Sequence, residues 1–186
     1  MSGTLTEPVR IFELAATGFA VDETIGFPEL PRLAAVLEPE CAEHGSAQVV
    51  LTVSRAAESV AVQGRVEARL ALQCQRCLRP MVYPVGHDFA WMLSESGTQS
   101  AAPASDFELI LLGDCRAEGI ARGEGRDTTL KLAPLIEDEL MLQVPFAPMH
   151  EGAACKAITG NFLAASADRE SAHPFAALAE LKKKRD

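Results

Sequence analysis

Two cysteines separated by two residues form the most chemically distinctive motif of this sequence, Cys74-Gln-Arg-Cys77. Such a spacing serves thiol–disulfide exchange or metal binding, depending on its structural context. Redox pairs lie where a strand passes into a helix, whereas here Leu-Arg-Pro and a second strand-like pattern follow. We therefore disfavour redox chemistry and keep two interpretations, half of a metal site or thiols that pack as small hydrophobic groups.

A metal site needs further ligands, and the best candidates lie in His150-Glu-Gly-Ala-Ala-Cys155. Together with Cys74 and Cys77, His150 and Cys155 would complete a Cys3His set, which is acceptable for structural zinc. The spacing between the two halves is irregular, so the sequence leaves a zinc site and ordinary packing open.

The charge of the chain is distributed unevenly. Its 186 residues include 17 Lys or Arg and 26 Asp or Glu, giving a net charge of −9, which disfavours a general nucleic-acid binder. Residues 55–79, however, carry five arginines against two glutamates, and the last six residues are also basic. These islands are either solvated surface or contacts to RNA or a partner. The candidate contact residues are Arg65, Arg69, Arg76, Arg79, Lys182, Lys183 and Lys184.

Three consecutive acidic residues, Glu137, Asp138 and Glu139, lie in a helical pattern. Because consecutive residues point in different directions around a helix, a catalytic carboxylate pair is a poor interpretation. We predict instead a solvated acidic patch or one that faces a basic partner. Since the sequence also lacks a Ser/His/Asp set and a phosphate-binding glycine loop, we expect no enzyme activity and no small-molecule substrate.

The elements that position these residues are mostly strands. Polar and apolar residues alternate strictly over Val60–Cys74 and again over Met81–Leu93, which predicts a long antiparallel hairpin whose tip carries the cysteines. Val49–Val53 is a predicted partner strand. His87 alternates in step with the apolar residues of its own strand, so we expect it to be half-buried. An amphipathic helix is predicted from the stripe Leu132, Leu135, Ile136 and Leu140, and Val144-Pro145 ends it. We expect an α+β fold with a curved sheet or a partly closed barrel and a few short helices.

The remaining sequence limits the class of protein. It has no apolar run of membrane-spanning length, no secretory leader and an odd number of cysteines, so we expect a cytoplasmic protein with no membrane contact. Residues 1–163 are predicted to form one domain, and 164–186 a linker and a short basic helix. The glycine-rich residues 113–127 are predicted to be a mobile connection.

Several segments together resemble the bacterial YceD family, the large ribosomal RNA subunit accumulation proteins. The first runs from Val62 through Leu72-Gln-Cys-Gln-Arg-Cys-Leu-Arg-Pro80. The second is Leu132-Ala-Pro-Leu-Ile-Glu-Asp-Glu-Leu-Met-Leu142, continuing into Val144-Pro-Phe-Ala-Pro-Met-His150. The ending His173-Pro-Phe-Ala is similar to the proteobacterial form, which usually has Asn-Pro-Phe-Ala there.

This resemblance implies a role in synthesis, processing or stability of 23S rRNA, with 23S rRNA or a pre-ribosomal particle as partner, directly or through a basic protein. It implies no known enzyme activity. Family members of another type carry a second Cys-x-x-Cys near the C-terminus, where this chain has only His150 and Cys155. The alternative function is a zinc-stabilised protein-interaction module without RNA contact. Few aromatic residues are available to form a base-stacking platform.

Overall fold

A computed structural model describes residues 4–95 and 106–151 together with Cys155. The strands are β1 (Val9–Arg10), β2 (Phe19–Gly26), β3 (Ser46–Ala56), β4 (Ser59–Gln73), β5 (Pro80–Ser94), β6 (Glu108–Leu111), β7 (Ala121–Arg122) and β8 (Thr129–Leu130). The helices are α1 (Ile11–Thr17), α2 (Pro31–Ala34), α3 (Pro39–His44), α4 (Leu112–Ala117) and α5 (Ala133–Gln143). Short 3-10 turns occupy Phe27–Glu29 and Gly125–Asp127. This combination of elements confirms the predicted α+β class.

Five strands form the main sheet in the order β2-β3-β4-β5-β6. The first four pair antiparallel, whereas β6 lies parallel to the end of β5. Because β2 and β6 are the two edges and do not pair with each other, the sheet of the described residues is open. The predicted partly closed barrel is therefore wrong. A second, three-stranded sheet has the order β1-β8-β7.

The long hairpin of β4 and β5 agrees with its prediction to within one residue at each end. Its pairing runs from Val60 opposite Leu93 to Gln73 opposite Pro80, with no interruption. Pro84 is tolerated inside β5 because β6 pairs only with the last four residues of that strand. At Pro84 the side of β5 away from β4 is an edge of the sheet and needs no ladder hydrogen bond.

The core lies on one face of this sheet. Alternate residues of β3 and β4 are buried because successive side chains of a strand point to opposite faces. They pack with apolar residues of α5, including Leu135, Ile136 and Leu140. No helix among the described residues is long and apolar enough to cross a membrane.

The glycine-rich segment 113–127 is more ordered than its composition predicts. It contains most of α4, the short strand β7 and a 3-10 turn, so the predicted mobile connection is wrong. Three glycines supply the positive backbone φ angles that link these elements, namely Gly119, Gly123 and Gly125. The proposed boundary at residue 163 lies outside the described residues and stays a prediction.

Candidate metal centre

The tip of the long hairpin is a tight turn that holds the first two candidate ligands. The Cys74 N–H donates to the Arg79 carbonyl at 3.0 Å, and the Leu78 N–H donates to the Cys74 carbonyl at 2.9 Å. Leu78 adopts a positive φ of 58°, which an L-residue rarely accepts and which lets the chain reverse between the strands. Backbone hydrogen bonds thus fix the turn that carries both thiols. We call residues 74–79 the knuckle.

The segment after α5 is attached directly to the knuckle. The Gln75 N–H donates to the Pro148 carbonyl at 2.8 Å, which joins residues 144–150 to the hairpin tip. His150 then lies with Nε2 3.1 Å from the Pro80 carbonyl and Nδ1 3.4 Å from Sγ of Cys77. Because a carbonyl oxygen only accepts hydrogen bonds, Nε2 carries the proton and Nδ1 presents its lone pair toward the cysteines.

Cys155 completes the cluster, with its Sγ 3.7 Å from that of Cys74. The four candidate ligand atoms, one each from Cys74, Cys77, His150 and Cys155, all lie within 4.8 Å of one another. Cys74 and Cys155 are buried, whereas Cys77 and His150 are half-buried. The structure therefore brings together all four residues of the predicted ligand set, and this cluster could hold a metal ion.

The surroundings of the thiols favour a mixed protonation state. Burial opposes ionisation of Cys74, but backbone N–H groups of Cys77, His150 and Arg76 outweigh it and lower its pKa to about 5. Burial, together with hydrogen bonds to Cys74 and Cys77, raises the pKa of Cys155 to about 11. At neutral pH a thiolate at Cys74 therefore faces a protonated thiol at Cys155, whose proton a metal ion would displace.

The predicted arginine contacts divide into two groups. Arg65 is bound by carboxylates, with Nε 2.8 Å from Glu67 and Nη1 2.9 Å from Asp88, so much of its charge is neutralised. Arg69 and Arg79 are exposed and Arg76 is half-buried. Among the residues that the structure describes, no carboxylate forms an ion pair with any of these three arginines. They remain candidates for RNA or partner contact. Lys182, Lys183 and Lys184 lie outside the described residues.

The predicted acidic patch on α5 is corrected by the structure. Glu137 is only 3% exposed and Glu139 only 6%, and both carboxylates are bound inside the protein. The two side chains emerge on different sides of the helix, so Glu137 faces Arg32 of α2 and Glu139 faces β5. Asp138 alone reaches the surface, where it pairs with Arg32 at 2.6 Å. These residues stabilise the fold instead of presenting a surface to a partner.

His87, by contrast, agrees with its prediction. Its side chain is one-third exposed, and Nε2 lies 3.1 Å from Glu139 Oε2, so it is a half-buried histidine with a partner. It takes no part in the cysteine cluster.

Sequence reasoning missed one residue beside the cluster. Phe146 lies between Pro145 and Pro148 in the segment that carries His150, and its side chain is fully exposed. Its position outside every periodic apolar pattern was the available signal, because a core phenylalanine normally belongs to a helix or strand pattern.

The structure is thus an α+β fold whose long hairpin ends in a cysteine knuckle. A later histidine and cysteine join that knuckle in a cluster that could hold a metal ion. The family model of the large ribosomal RNA subunit accumulation protein YceD matches residues 62–182, which is more than half of the chain. The chain belongs to the YceD family. A relative from Haemophilus influenzae, named large ribosomal RNA subunit accumulation protein YceD, is 28% identical over 128 residues, which is 67% of each chain. No solved structure matches this chain significantly.

Proposed function

We propose that this protein acts in ribosome biogenesis, in the synthesis, processing or stability of 23S rRNA, and that it does so without catalysing a reaction. The observation that carries the proposal is the family match, because residues 62–182 include most of the hairpin, the knuckle and α5. The name of the Haemophilus influenzae relative refers to accumulation of the large ribosomal RNA. The partner is 23S rRNA or a pre-ribosomal particle, bound directly or through a basic protein.

The absence of catalysis is part of this proposal. The thiol of Cys77 and the imidazole of His150 are close enough to act as a nucleophile and its base. However, Cys74 and Cys155 crowd the same point, and Nε2 of His150 is bound to a backbone carbonyl rather than to a carboxylate. Three thiols converging on one imidazole nitrogen form a metal-ligand set, so we assign the cluster a structural role.

Zinc is the metal that we propose for this cluster. Ligands at Zn–S and Zn–N bond lengths in a tetrahedron lie about 3.8 Å apart for two sulfurs and about 3.5 Å apart for sulfur and nitrogen. The distances of 3.7 Å between Cys74 and Cys155 and 3.4 Å between Cys77 and His150 agree with these values. Zinc would tie the hairpin tip to the segment that follows α5, and the Pro80 carbonyl would hold His150 in its ligating tautomer.

The alternative function is a zinc-stabilised protein-interaction module without RNA contact. The observation that favours it is a group of apolar side chains exposed near the knuckle, namely Leu78, Val82, Phe146 and Met149. Exposed apolar groups often mark protein interfaces.

Complementation tests the proposed function. The YceD gene of Haemophilus influenzae is deleted, this chain is expressed in its place, and the ratio of 23S to 16S rRNA is measured. We expect deletion to lower that ratio and this chain to restore it. An unchanged ratio on deletion would contradict the proposal. Expression of the Cys74→Ser variant at equal protein level then tests whether the metal centre is needed.

A further inference from the structure

Five residues at the hairpin tip form a surface that combines cations with exposed apolar groups. They are Arg76, Leu78 and Arg79 of the knuckle and Phe146 and Met149 of the segment after α5. Phe146 is fully exposed, and Leu78 keeps 66% of its surface accessible. We call this set the knuckle surface. Exposing an entire phenylalanine ring forgoes the free energy of its burial, so such a ring indicates a surface used for binding.

Two direct contacts hold the two halves of this surface together. The Gln75 N–H donates to the Pro148 carbonyl, and Nη2 of Arg76 lies 3.7 Å from Sδ of Met149. Phe146 is two residues from Pro148, which places it within about 7 Å along the chain. The proline on either side restricts the backbone around Phe146. The ring is therefore presented from a constrained segment beside the arginines.

Outside the metal cluster, the two chain segments that form this surface carry only positive charge, and the exposed Glu151 directly follows the second of them. Residues 69–84 contain three arginines and no Asp or Glu, and residues 144–150 contain neither a carboxylate nor a Lys or Arg. This is unusual in a chain whose net charge is −9. A zinc ion bound to three thiolates and an imidazole would contribute −1, which leaves the region positive. Charge complementarity thus points to an anionic partner.

We propose that the knuckle surface binds single-stranded RNA, with a base stacked on Phe146 and the flanking phosphates bound by Arg76 and Arg79. This inference rests on the proposed function and deepens it by naming the form of RNA and the residues that contact it. An aromatic ring beside arginines is the combination that single-stranded nucleic acids require, because stacking uses the base and the guanidinium groups bind the phosphates. A duplex conceals its base faces, so an exposed ring gains nothing from it.

A protein partner suits this surface less well. An apolar protein interface depletes charge at its centre. Here the segment that carries the exposed ring is bonded to a knuckle with two arginines, neither of which pairs with a carboxylate among the described residues. Stacking requires an aromatic ring at position 146, whereas an apolar protein contact accepts an aliphatic side chain of similar size.

Fluorescence anisotropy with the full chain tests the proposal. The probes are a labelled 12-nucleotide RNA without self-complementarity, its duplex with the complementary strand, and an abasic oligonucleotide of equal length. We expect Phe146→Ala and Phe146→Leu each to weaken binding of the single strand by about tenfold, and Phe146→Tyr to bind within about twofold of wild type. Binding of the abasic strand should not change, because it has phosphates but no bases to stack.

Arginine variants separate the electrostatic contribution. The double variant Arg76→Gln with Arg79→Gln should weaken binding of the abasic probe and of the single-stranded probe by similar factors. It should also lower the slope of log affinity against log salt by about 1.4. Leu109→Ala is the matched control, because this exposed apolar residue is paired to the end of β5 remote from the knuckle. It should bind all three probes as wild type does.

Three outcomes would overturn the inference: wild-type binding by Phe146→Leu, equal affinity for duplex and single strand, or no binding of RNA at low salt. If the chain binds no RNA at low salt but still restores the ratio of 23S to 16S rRNA, the proposed function stands and this surface is not its RNA contact. Conversely, RNA binding that depends on Phe146 in a chain that fails to complement would contradict the proposed function and leave the binding surface intact.

Discussion

The indole N–H of Trp91 donates a hydrogen bond to Oε1 of Glu139 at 2.6 Å, inside the contact between β5 and α5. The second carboxylate oxygen lies 3.1 Å from Nε2 of His87. Trp91 is 1% exposed and also stacks on Phe89. Glu139 therefore joins the long hairpin to the helix that leads into the segment carrying His150. This buried carboxylate therefore fastens α5 to β5.

We predict that Glu139→Leu lowers the free energy of unfolding by about 2–4 kcal/mol, because it leaves the buried Trp91 N–H without an acceptor. Glu139→Gln should cost less, since its amide oxygen still accepts that hydrogen bond. Urea denaturation followed by tryptophan fluorescence measures both, and Trp91 is the only tryptophan of the chain. Asp138→Asn is the neighbouring control and should change stability by less than about 1 kcal/mol. Equal midpoints for Glu139→Leu and wild type would contradict the structural role.

The hairpin could be predicted from the sequence because strict alternation over 15 residues has one explanation, a strand with one buried face. The cysteine motif at its tip was equally clear. What the sequence could not show is the contact between Gln75 and Pro148, which brings His150 to the knuckle from 73 residues away. Such a contact depends on how α5 packs against β5, and no local pattern encodes it.

The acidic residues of α5 show the opposite case. The sequence predicts their helix correctly, but it also predicts a solvated or partner-facing patch, whereas Glu137 and Glu139 are buried. Their partners, Arg32 and Trp91, are 105 and 48 residues away in sequence. A buried carboxylate is recognisable only once its donors are placed, so sequence reasoning could not separate these two glutamates from Asp138.

Glu137 supplies the hydrogen bonds that the start of α2 lacks. Its Oε1 accepts from the backbone N–H groups of Arg32 at 2.6 Å and Leu33 at 3.1 Å, while Oε2 binds Nε of Arg32. The N-cap residue of α2, Leu30, provides no side-chain cap. We predict that Glu137→Ala lowers the free energy of unfolding by about 2–3 kcal/mol, since it leaves these helix-start amides unpaired.

Hydrogen exchange gives this prediction a local measurement. In Glu137→Ala the Leu33 amide should lose protection by more than the global destabilisation explains. Asp138→Ala, which removes only the exposed ion pair to Arg32, should leave that amide protected. Unchanged protection of Leu33 in Glu137→Ala would show that the amide has another acceptor.

The ionisation of Glu95 makes the stability of the fold depend on pH. A hydrogen bond from Arg116 is the largest influence, and with those from Thr128 and Gly125 it lowers the pKa of Glu95 below its ordinary value, against the effect of burial. A carboxylate whose pKa is lowered by folding stabilises the protein above its unfolded pKa of about 4.3, and this contribution disappears as pH falls through the folded pKa. We predict that Glu95→Gln costs about 1 kcal/mol at neutral pH and progressively less below pH 4.

Denaturation of wild type and Glu95→Gln across this pH range measures the difference directly. Glu58→Gln is the control, because the Glu58 carboxylate is exposed and makes no hydrogen bond among the described residues. Its effect on the free energy of unfolding should be small at every pH. A Glu95→Gln penalty that persists unchanged at pH 3 would contradict the ionic origin of the stabilisation.

We predict that the four-residue cluster at the hairpin tip binds zinc. Protein purified without added metal should contain one zinc per chain, and Cys74→Ser, Cys77→Ser and Cys155→Ser should each reduce that content strongly. Cys41→Ser is the matched control, because Cys41 lies outside the cluster, where its sulfur accepts from the Ala71 N–H and its thiol donates to the Arg69 carbonyl. It should retain zinc at the wild-type level, and so should Cys115→Ser.

Spectroscopy and chelation identify the ligands of that ion. Cobalt(II) exchanged into the protein should give thiolate charge-transfer absorption together with the intense visible bands of a tetrahedral site, and acidification should release the metal because protons compete for the thiolates. Chelation of zinc should lower the melting temperature, since the proposed ion would tie the knuckle to the segment after α5. That shift should be absent in Cys155→Ser, which has no complete site to lose. Cobalt bands typical of octahedral coordination, or a melting temperature insensitive to chelation in zinc-loaded wild type, would show that the four residues do not form a structural metal centre.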